Sequence, residues 1–367
     1  MQVVDDNEGA SKNPQSEDCL TLNIWTRSEK KNLPVMVFIH GGGFQGDGSS
    51  DPLYSGTNIV TAHDVVVVNF NHRLNGFGFV NFASIDSSFE DSGYLGIKDQ
   101  VAALKWVKEN IAEFGGAKTM NDMMKKSSAE LVKLYKKVST VRIAQNEGDY
   151  LPTCDGKFLP LNPFKALRDG GARGIKFLTG TTADEYRYWL VYMDNFFEIF
   201  RADPKKLSPV MQKYSGTETP EEIYSEWLNG RPDNEESFAD FVNQVDWRVG
   251  QELAVKYQSQ FADVYYYLFS EQSPDKKLRS CHAVDLPFTF NVGAHIVPNP
   301  AQNLVKQVQA SWAAFAATGN PDNEFIPHWE KYSASNRYTM ELNSSGCVLH
   351  KDLNTQNLNS LRYLYED

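Results

Sequence analysis

Two short apolar runs open the pattern, VMVFI at 35–39 and VVVVNF at 65–70, each β-branched and bounded by turn residues. A run this short without polar alternation predicts a strand covered on both faces. Between them lies a glycine-rich loop, HGGGFQGDGSS, at 40–50. The period then changes. In GIKDQVAALKWVKENIAEFGG, residues 96–116, Val101, Leu104, Val107 and Ile111 recur at helical spacing, with Trp106 beside them, and Gly115 and Gly116 supply a stop. Strand, loop, strand, helix is the opening of an α/β fold. IKFLTG at 175–180 and DVYYYLFS at 263–270 predict further strands of the same sheet. Residues 191–260 carry Phe, Tyr, Trp, Glu and Lys at helical spacing and predict a helical insertion or lid, with DPKKLSP and GRPDNEES as its loops.

Length changes this picture little, because 367 residues suit one large α/β domain or two smaller ones. Apolar residues make up 41% and charged residues 23%, enough for a substantial core under an ordinary surface. The net charge of −11 would repel a phosphate backbone or an anionic membrane surface, so nucleic acid is excluded as an expected partner. No stretch approaches the roughly 20 apolar residues of a membrane span. The first ten residues, MQVVDDNEGA, are polar and acidic where a signal peptide would be basic and then apolar, so a cytoplasmic location is expected. Cys19, Cys154, Cys281 and Cys347 show neither CxxC pairs nor metal-ligand spacing and are read as free thiols. Nothing implies a metal or an organic cofactor.

Candidate chemistry begins at His40-Gly41-Gly42-Gly43-Phe44, directly after the first strand. Three consecutive glycines let backbone N–H groups point into one small space, as stabilising an oxyanion requires; a flexible or phosphate-type loop is the other reading of these residues alone. The wider text decides between them. SEDCLTLNIW (16–25), PVMVFIHGGGF (34–44), VVVVNFNHRLNGFGF (65–79) and YLGIKDQVAALKWVKENIAEFGG (94–116) resemble, in that order, the type-B carboxylesterase and cholinesterase family of the α/β-hydrolases. The resemblance resumes in LPTCDGKFLPLNP, FLTGTTADEYRYW, CHAVDLPFTFN, SWAAFAATGNPDN and RYTMEL, and covers most of the chain.

The resemblance implies one α/β-hydrolase domain over 1–367: a mostly parallel central sheet flanked by helices, with 191–260 as the helical insertion. It implies hydrolysis of small uncharged carboxylic esters through an acyl-enzyme. The family's triad is a serine in G-x-S-x-G, a glutamate and a histidine, in that chain order. Glu185 in GTTADEYRYW matches the acid and His282 in CHAVDLP the general base, whose tautomer and charged form a carboxylate stabilises. Gly42 and Gly43 match the oxyanion donors, with His40 and Gly41 supporting their loop. Oligomeric state and natural ester are not implied. His63, His72, His295, His328 and His350 receive no catalytic role, and Asp155 and Asp285 read as local turn caps.

One part of the pattern is missing. After Gly116 the chain runs straight into AKTMNDMMKKSSAELVKLY, and no G-x-S-x-G occurs anywhere. Ser127 and Ser128 read as a solvated helix, Ser49 and Ser50 as a turn. The expectation is an internal deletion after about residue 116 that removes the nucleophile and central strands of the sheet. Buried unpaired backbone groups cost about 1–3 kcal/mol each, so a handful of lost ladder bonds rivals a total stability of about 5–15 kcal/mol. Direct pairing of VMVFI with IKFLT is a second possibility. The family's opening hairpin, with the cysteine that would pair with Cys19, has no match before residue 16, so Met1 reads as an internal or truncated start. The expected function is a carboxylesterase impaired by its lost serine; a non-catalytic binding module of cholinesterase-like type, or a deletion product without function, are the alternatives.

Overall fold

The computed structural model describes residues 16–27, 29–83, 85–117, 152–193, 195–202, 208, 210–211, 216–353 and 360–365. Ser127 and Ser128 lie outside them. The described residues fall into two compact units: one holds the residues up to 117, then 152–175 and Leu286–Phe325; the other holds Lys176–Asp285 and the residues from Ile326 onward.

The first unit is built on three strands, β1 (Leu22–Trp25), β2 (Val35–Ile39) and β3 (Val66–Phe70), in the order β1-β3-β2. β3 pairs antiparallel with β1, Leu22 opposite Phe70, and parallel with β2, Val35 opposite Val66. Alternate side chains of β3 feed opposite faces. Val66 and Val68 pack with Leu33, Val107 and Ile111, the last two from the Leu95–Asn110 helix and the 3-10 turn that follows it. Val65 and Val67 pack with Leu53, Tyr54, Ile59, Val60 and Phe290. Both faces are covered, so an unbroken apolar run is what this position requires. The Leu95–Asn110 helix passes into a 3-10 turn, Ile111–Phe114, which Gly115 closes at φ +85°, a left-handed geometry that costs glycine little.

VMVFI departs from the expectation of a fully buried strand. All five residues of β2 are only partly buried, whereas every residue of β3 is buried. The reason is sheet position: among the described residues β3 is the one strand paired with β2, so β2 is an edge.

The second unit carries a four-stranded sheet, β4 (Phe177–Thr182), β5 (Val264–Phe269), β6 (Thr339–Leu342) and β7 (Val348–His350), in sequence order. β4, β5 and β6 run parallel and β7 closes antiparallel on β6. Among the described residues β4 is an edge of this sheet, with Phe177 to Gly180 partly buried. Among the described residues the strands pair in two sets, and VMVFI and IKFLT belong to different ones. Between β4 and β5 the described chain is helical: Arg187–Tyr192, Phe196–Ala202, Pro220–Leu228 with a Thr219–Glu222 capping box, and Glu235–Val242, which passes into a π-helix at Asn243–Val249 and then Gly250–Gln258. No disulfide joins the four cysteines; Cys281 and Cys347 are buried. No described helix is long and apolar enough to cross a membrane.

Candidate active site

Glu185 and His282 meet in the second unit. The chain leaves β4 at Thr182 and turns through Ala183, Asp184 and Glu185. Two backbone bonds fix this turn, Ala183 N–H to Phe269 O at 2.9 Å and Asp184 N–H to Ser280 O at 2.9 Å. Ser280 answers with its hydroxyl donated to Phe269 O at 2.7 Å and its N–H to Asp184 Oδ2 at 3.3 Å. The two loops that carry Glu185 and His282 are thus laced together at their bases. His282 N–H then donates to Glu185 O at 3.2 Å.

The side chains complete the pair. Glu185 is buried; its Oε1 accepts the Thr182 N–H at 2.7 Å and its Oε2 lies 2.7 Å from His282 Nδ1. That contact assigns the proton to Nδ1 and leaves the lone pair on Nε2. The His282 side chain remains 38% exposed, against 6% for Glu185, so the carboxylate is enclosed while the imidazole reaches outward. The rings of Trp189 and Trp247 each lie 5.0 Å from the imidazole. Ala283 takes φ +64° immediately after the histidine. Burial, aided by the negative charge of Glu185, pushes the Cys281 thiol up to about 12, so this cysteine is no nucleophile at neutral pH.

The glycine loop is built within the first unit. Gly42 and Gly43 have φ +89° and +59°. At Gly42 glycine is required twice over, since a Cβ there would sit 2.3 Å from Gly46 O. Gly42 O accepts from Gln45 N and Gly46 N at 2.9 and 3.1 Å, while Gly41, Gly42 and Gly43 are exposed. Asn75 secures the far side: its N–H donates to Phe44 O at 2.8 Å and its amide nitrogen to Gln45 O. Buried Asn69 donates to Ser49 O and Tyr54 O at 3.0 and 3.2 Å, and Ser49 N–H donates to Asn71 Oδ1 at 2.8 Å, so Ser49 and Ser50 lie in a turn tied to the sheet.

His40 begins the loop, buried, with Nδ1 3.1 Å from Gly41 O. Its ring stacks on that of His72, 4.5 Å between centroids. Burial lowers the pKa of both. His40 falls despite the attraction of Asp47, and His72 falls to about 3, with the neighbouring His40 adding to the effect. Both imidazoles are therefore neutral at physiological pH. Asp155 caps its turn, accepting from Lys157 N and Leu159 N at 3.0 and 2.8 Å. His350 has a partner that the sequence did not reveal, Glu341 Oε2 at 2.7 Å from its Nε2. No group of three or more His, Cys, Asp or Glu side chains suited to a metal ion occurs among the described residues.

The sequence also gave no sign of the polar residues behind Glu185. Asn243 Oδ1 accepts the Glu185 N–H at 3.1 Å and its Nδ2 donates to Ala183 O at 2.7 Å. Asp246 accepts from the Tyr186 hydroxyl at 2.6 Å and from Ser208 at 2.7 Å. Both come from Asn243–Val249, within the stretch whose spacing predicts a helical insertion or lid.

With an enclosed carboxylate on the histidine and an exposed glycine loop described, the comparisons with known proteins are decisive. The family profile described as "Carboxylesterase family" matches residues 1–120 and 117–361. This chain belongs to the carboxylesterase family. The para-nitrobenzyl esterase of Bacillus subtilis (strain 168) is 29% identical, with 90% of this chain and 80% of that protein aligned. The liver carboxylesterase of Sus scrofa is 28% identical over 88% of this chain and 73% of its own length. Among solved structures, a carboxylesterase of Geobacillus stearothermophilus matches with a TM-score of 0.76 at 26% identity, covering 98% of this chain and 88% of that one. The fold is that of the α/β-hydrolases. The alignment with the Bacillus esterase spans 405 positions, more than the 367 residues of this carboxylesterase-family chain.

Proposed function

We propose that this protein is an internally shortened carboxylesterase that retains the acid–base half of the ester-hydrolysis machinery and uses it on small uncharged carboxylic esters. The observation that carries the reading is the 2.7 Å contact of buried Glu185 with His282 Nδ1. Glu185 orients the imidazole and stabilises its protonated form, so that Nε2 serves as general base. Gly42 and Gly43 match the oxyanion donors of the family pattern. The internal deletion is supported by the two family matches meeting at 117–120 and by the 405-position alignment.

No G-x-S-x-G serine exists in the sequence, so His282 acts on water. As the water oxygen bonds to the carbonyl carbon, its proton passes to Nε2 and the carbonyl electron pair moves onto oxygen. Collapse of that intermediate expels the alcohol oxygen, which takes the proton back from Nε2. Without a covalent nucleophile the acceleration is limited to about 10³–10⁴ over the uncatalysed reaction.

The test is hydrolysis of a short-chain p-nitrophenyl ester by the purified chain, with His282→Ala and Glu185→Gln beside it. Slow turnover, lost in His282→Ala, reduced in Glu185→Gln and insensitive to serine-directed organophosphates, is expected. Turnover that survives His282→Ala, or none at all from a folded sample, overturns the proposal; the latter makes the protein a non-catalytic binding module.

A further inference from the structure

The turn that presents Glu185 is held from behind by the π-helix Asn243–Val249, and the contacts are specific. A π-helix within a longer α-helix is rare and recurs at functional sites. Here it makes three separate attachments, to the Glu185 turn, to the neighbouring Tyr186 and to the His282 ring. Asn243, its first residue and buried, spans the turn with both ends of its amide, accepting from Glu185 N–H at 3.1 Å and donating to Ala183 O at 2.7 Å. Asp246 takes the hydroxyl of Tyr186, the residue after Glu185, at 2.6 Å. Trp247 lies 5.0 Å from the His282 ring and stacks on Trp189 at 6.3 Å, so the imidazole has an aromatic wall from the same stretch.

The amide of Asn243 is the only one of the three that touches the Glu185 backbone. A side chain that accepts from one residue of a turn and donates to the residue two before it fixes the dihedral angles between them, and with those the direction of the Glu185 side chain. Replacement by a residue with only one of these functions releases one end of the turn. Loss of both loosens the turn at Glu185, which then keeps the Ala183 and Asp184 backbone bonds at its base and the Thr182 N–H on Oε1, without changing any group that touches the imidazole.

We propose that Asn243 is a positioning residue: it holds the Ala183–Glu185 turn in the conformation that aims the Glu185 carboxylate at His282 Nδ1. This rests on the reading of Glu185 and His282 as the acid–base pair, and the experiment separates the two. In the full-length chain labelled with ¹⁵N-histidine, the His282 Nδ1–H proton, bonded to a carboxylate, gives a downfield resonance that His282→Gln identifies by its disappearance. Asn243→Ala is expected to keep the fold by circular dichroism and lose or strongly broaden that resonance, and to lower kcat by about 10- to 100-fold at constant KM. A merely structural Asn243 would lower Tm and leave the resonance of the folded chain in place, and that result overturns the proposal. If Asn243→Ala does not fold, Asn243→Asp carries the same test, because it keeps the acceptor for Glu185 N–H but sets an oxygen against Ala183 O. A shifted or broadened resonance then supports the proposal and an unchanged one overturns it. Absence of the resonance from the unsubstituted chain would instead remove the Glu185–His282 pair itself, and the role of Asn243 with it.

Discussion

Asp246 offers a sharp physical test of the interior behind Glu185. Burial pushes its carboxyl from 3.8 up to about 7, while the Tyr186 and Ser208 hydroxyls pull in the opposite direction. A raised folded-state value means that the native chain holds a proton that the unfolded chain releases. Between pH 4 and 7 the native state is the more protonated, so stability falls as pH rises. At about 1.4 kcal/mol per unit of displacement, roughly three units amount to about 4 kcal/mol, lost progressively up to pH 7 and not further. That is a large share of a total of about 5–15 kcal/mol. Asp246→Asn is neutral throughout. It also disturbs one of the hydrogen bonds that the carboxyl accepts from Tyr186, Ser208 and the Val210 N–H, a pH-independent offset of about 1 kcal/mol. Urea unfolding of both chains from pH 4 to 8, with the variant subtracted from the parent, isolates this residue, because Asp184 and Asp240, also raised by burial, cancel. The difference should fall by about 1.4 kcal/mol per pH unit to pH 7 and then level. A flat difference, or one that rises with pH, refutes the argument.

The stacked histidines predict the opposite slope. With His72 lowered from 6.5 to about 3, the unfolded chain takes up a proton that the native chain refuses, so stability is full above pH 6.5 and lost as pH falls. His72→Phe keeps the ring and should be about 2–3 kcal/mol less acid-sensitive than the parent between pH 7 and 4.5 in urea titrations; equal acid sensitivity would show that His72 is not held neutral. In the second sheet, Gly180→Ala would set a Cβ 2.2 Å from Tyr267 O, a backbone atom that can yield only by shifting β5. A loss of about 1–3 kcal/mol, read as a lower Tm, is expected, and an unchanged Tm would mean that β4 and β5 pair differently.

What the sequence determined by itself was local and compositional. The runs of β-branched and aromatic residues at 35–39, 65–70 and 263–270 become strands because such residues fit a pleated, covered surface. The 3-10 turn that follows the helix after Leu95 stops at Gly115 because a left-handed residue ends it cheaply. Glu185 and His282 were reachable through their resemblance to a known family, since nothing in the periodicity of either segment distinguishes a catalytic carboxylate from a surface one. Tertiary structure decided the rest. Among the described residues it left VMVFI at a sheet edge and only partly buried, because burial depends on which strand lies alongside and that is no property of the strand's own residues. It brought Glu185 to a histidine 97 positions away, and placed Asn243, 58 positions from Glu185, behind the same turn. Hydrogen bonds act over about 3 Å whatever the separation along the chain, so these contacts exist only once the chain has folded.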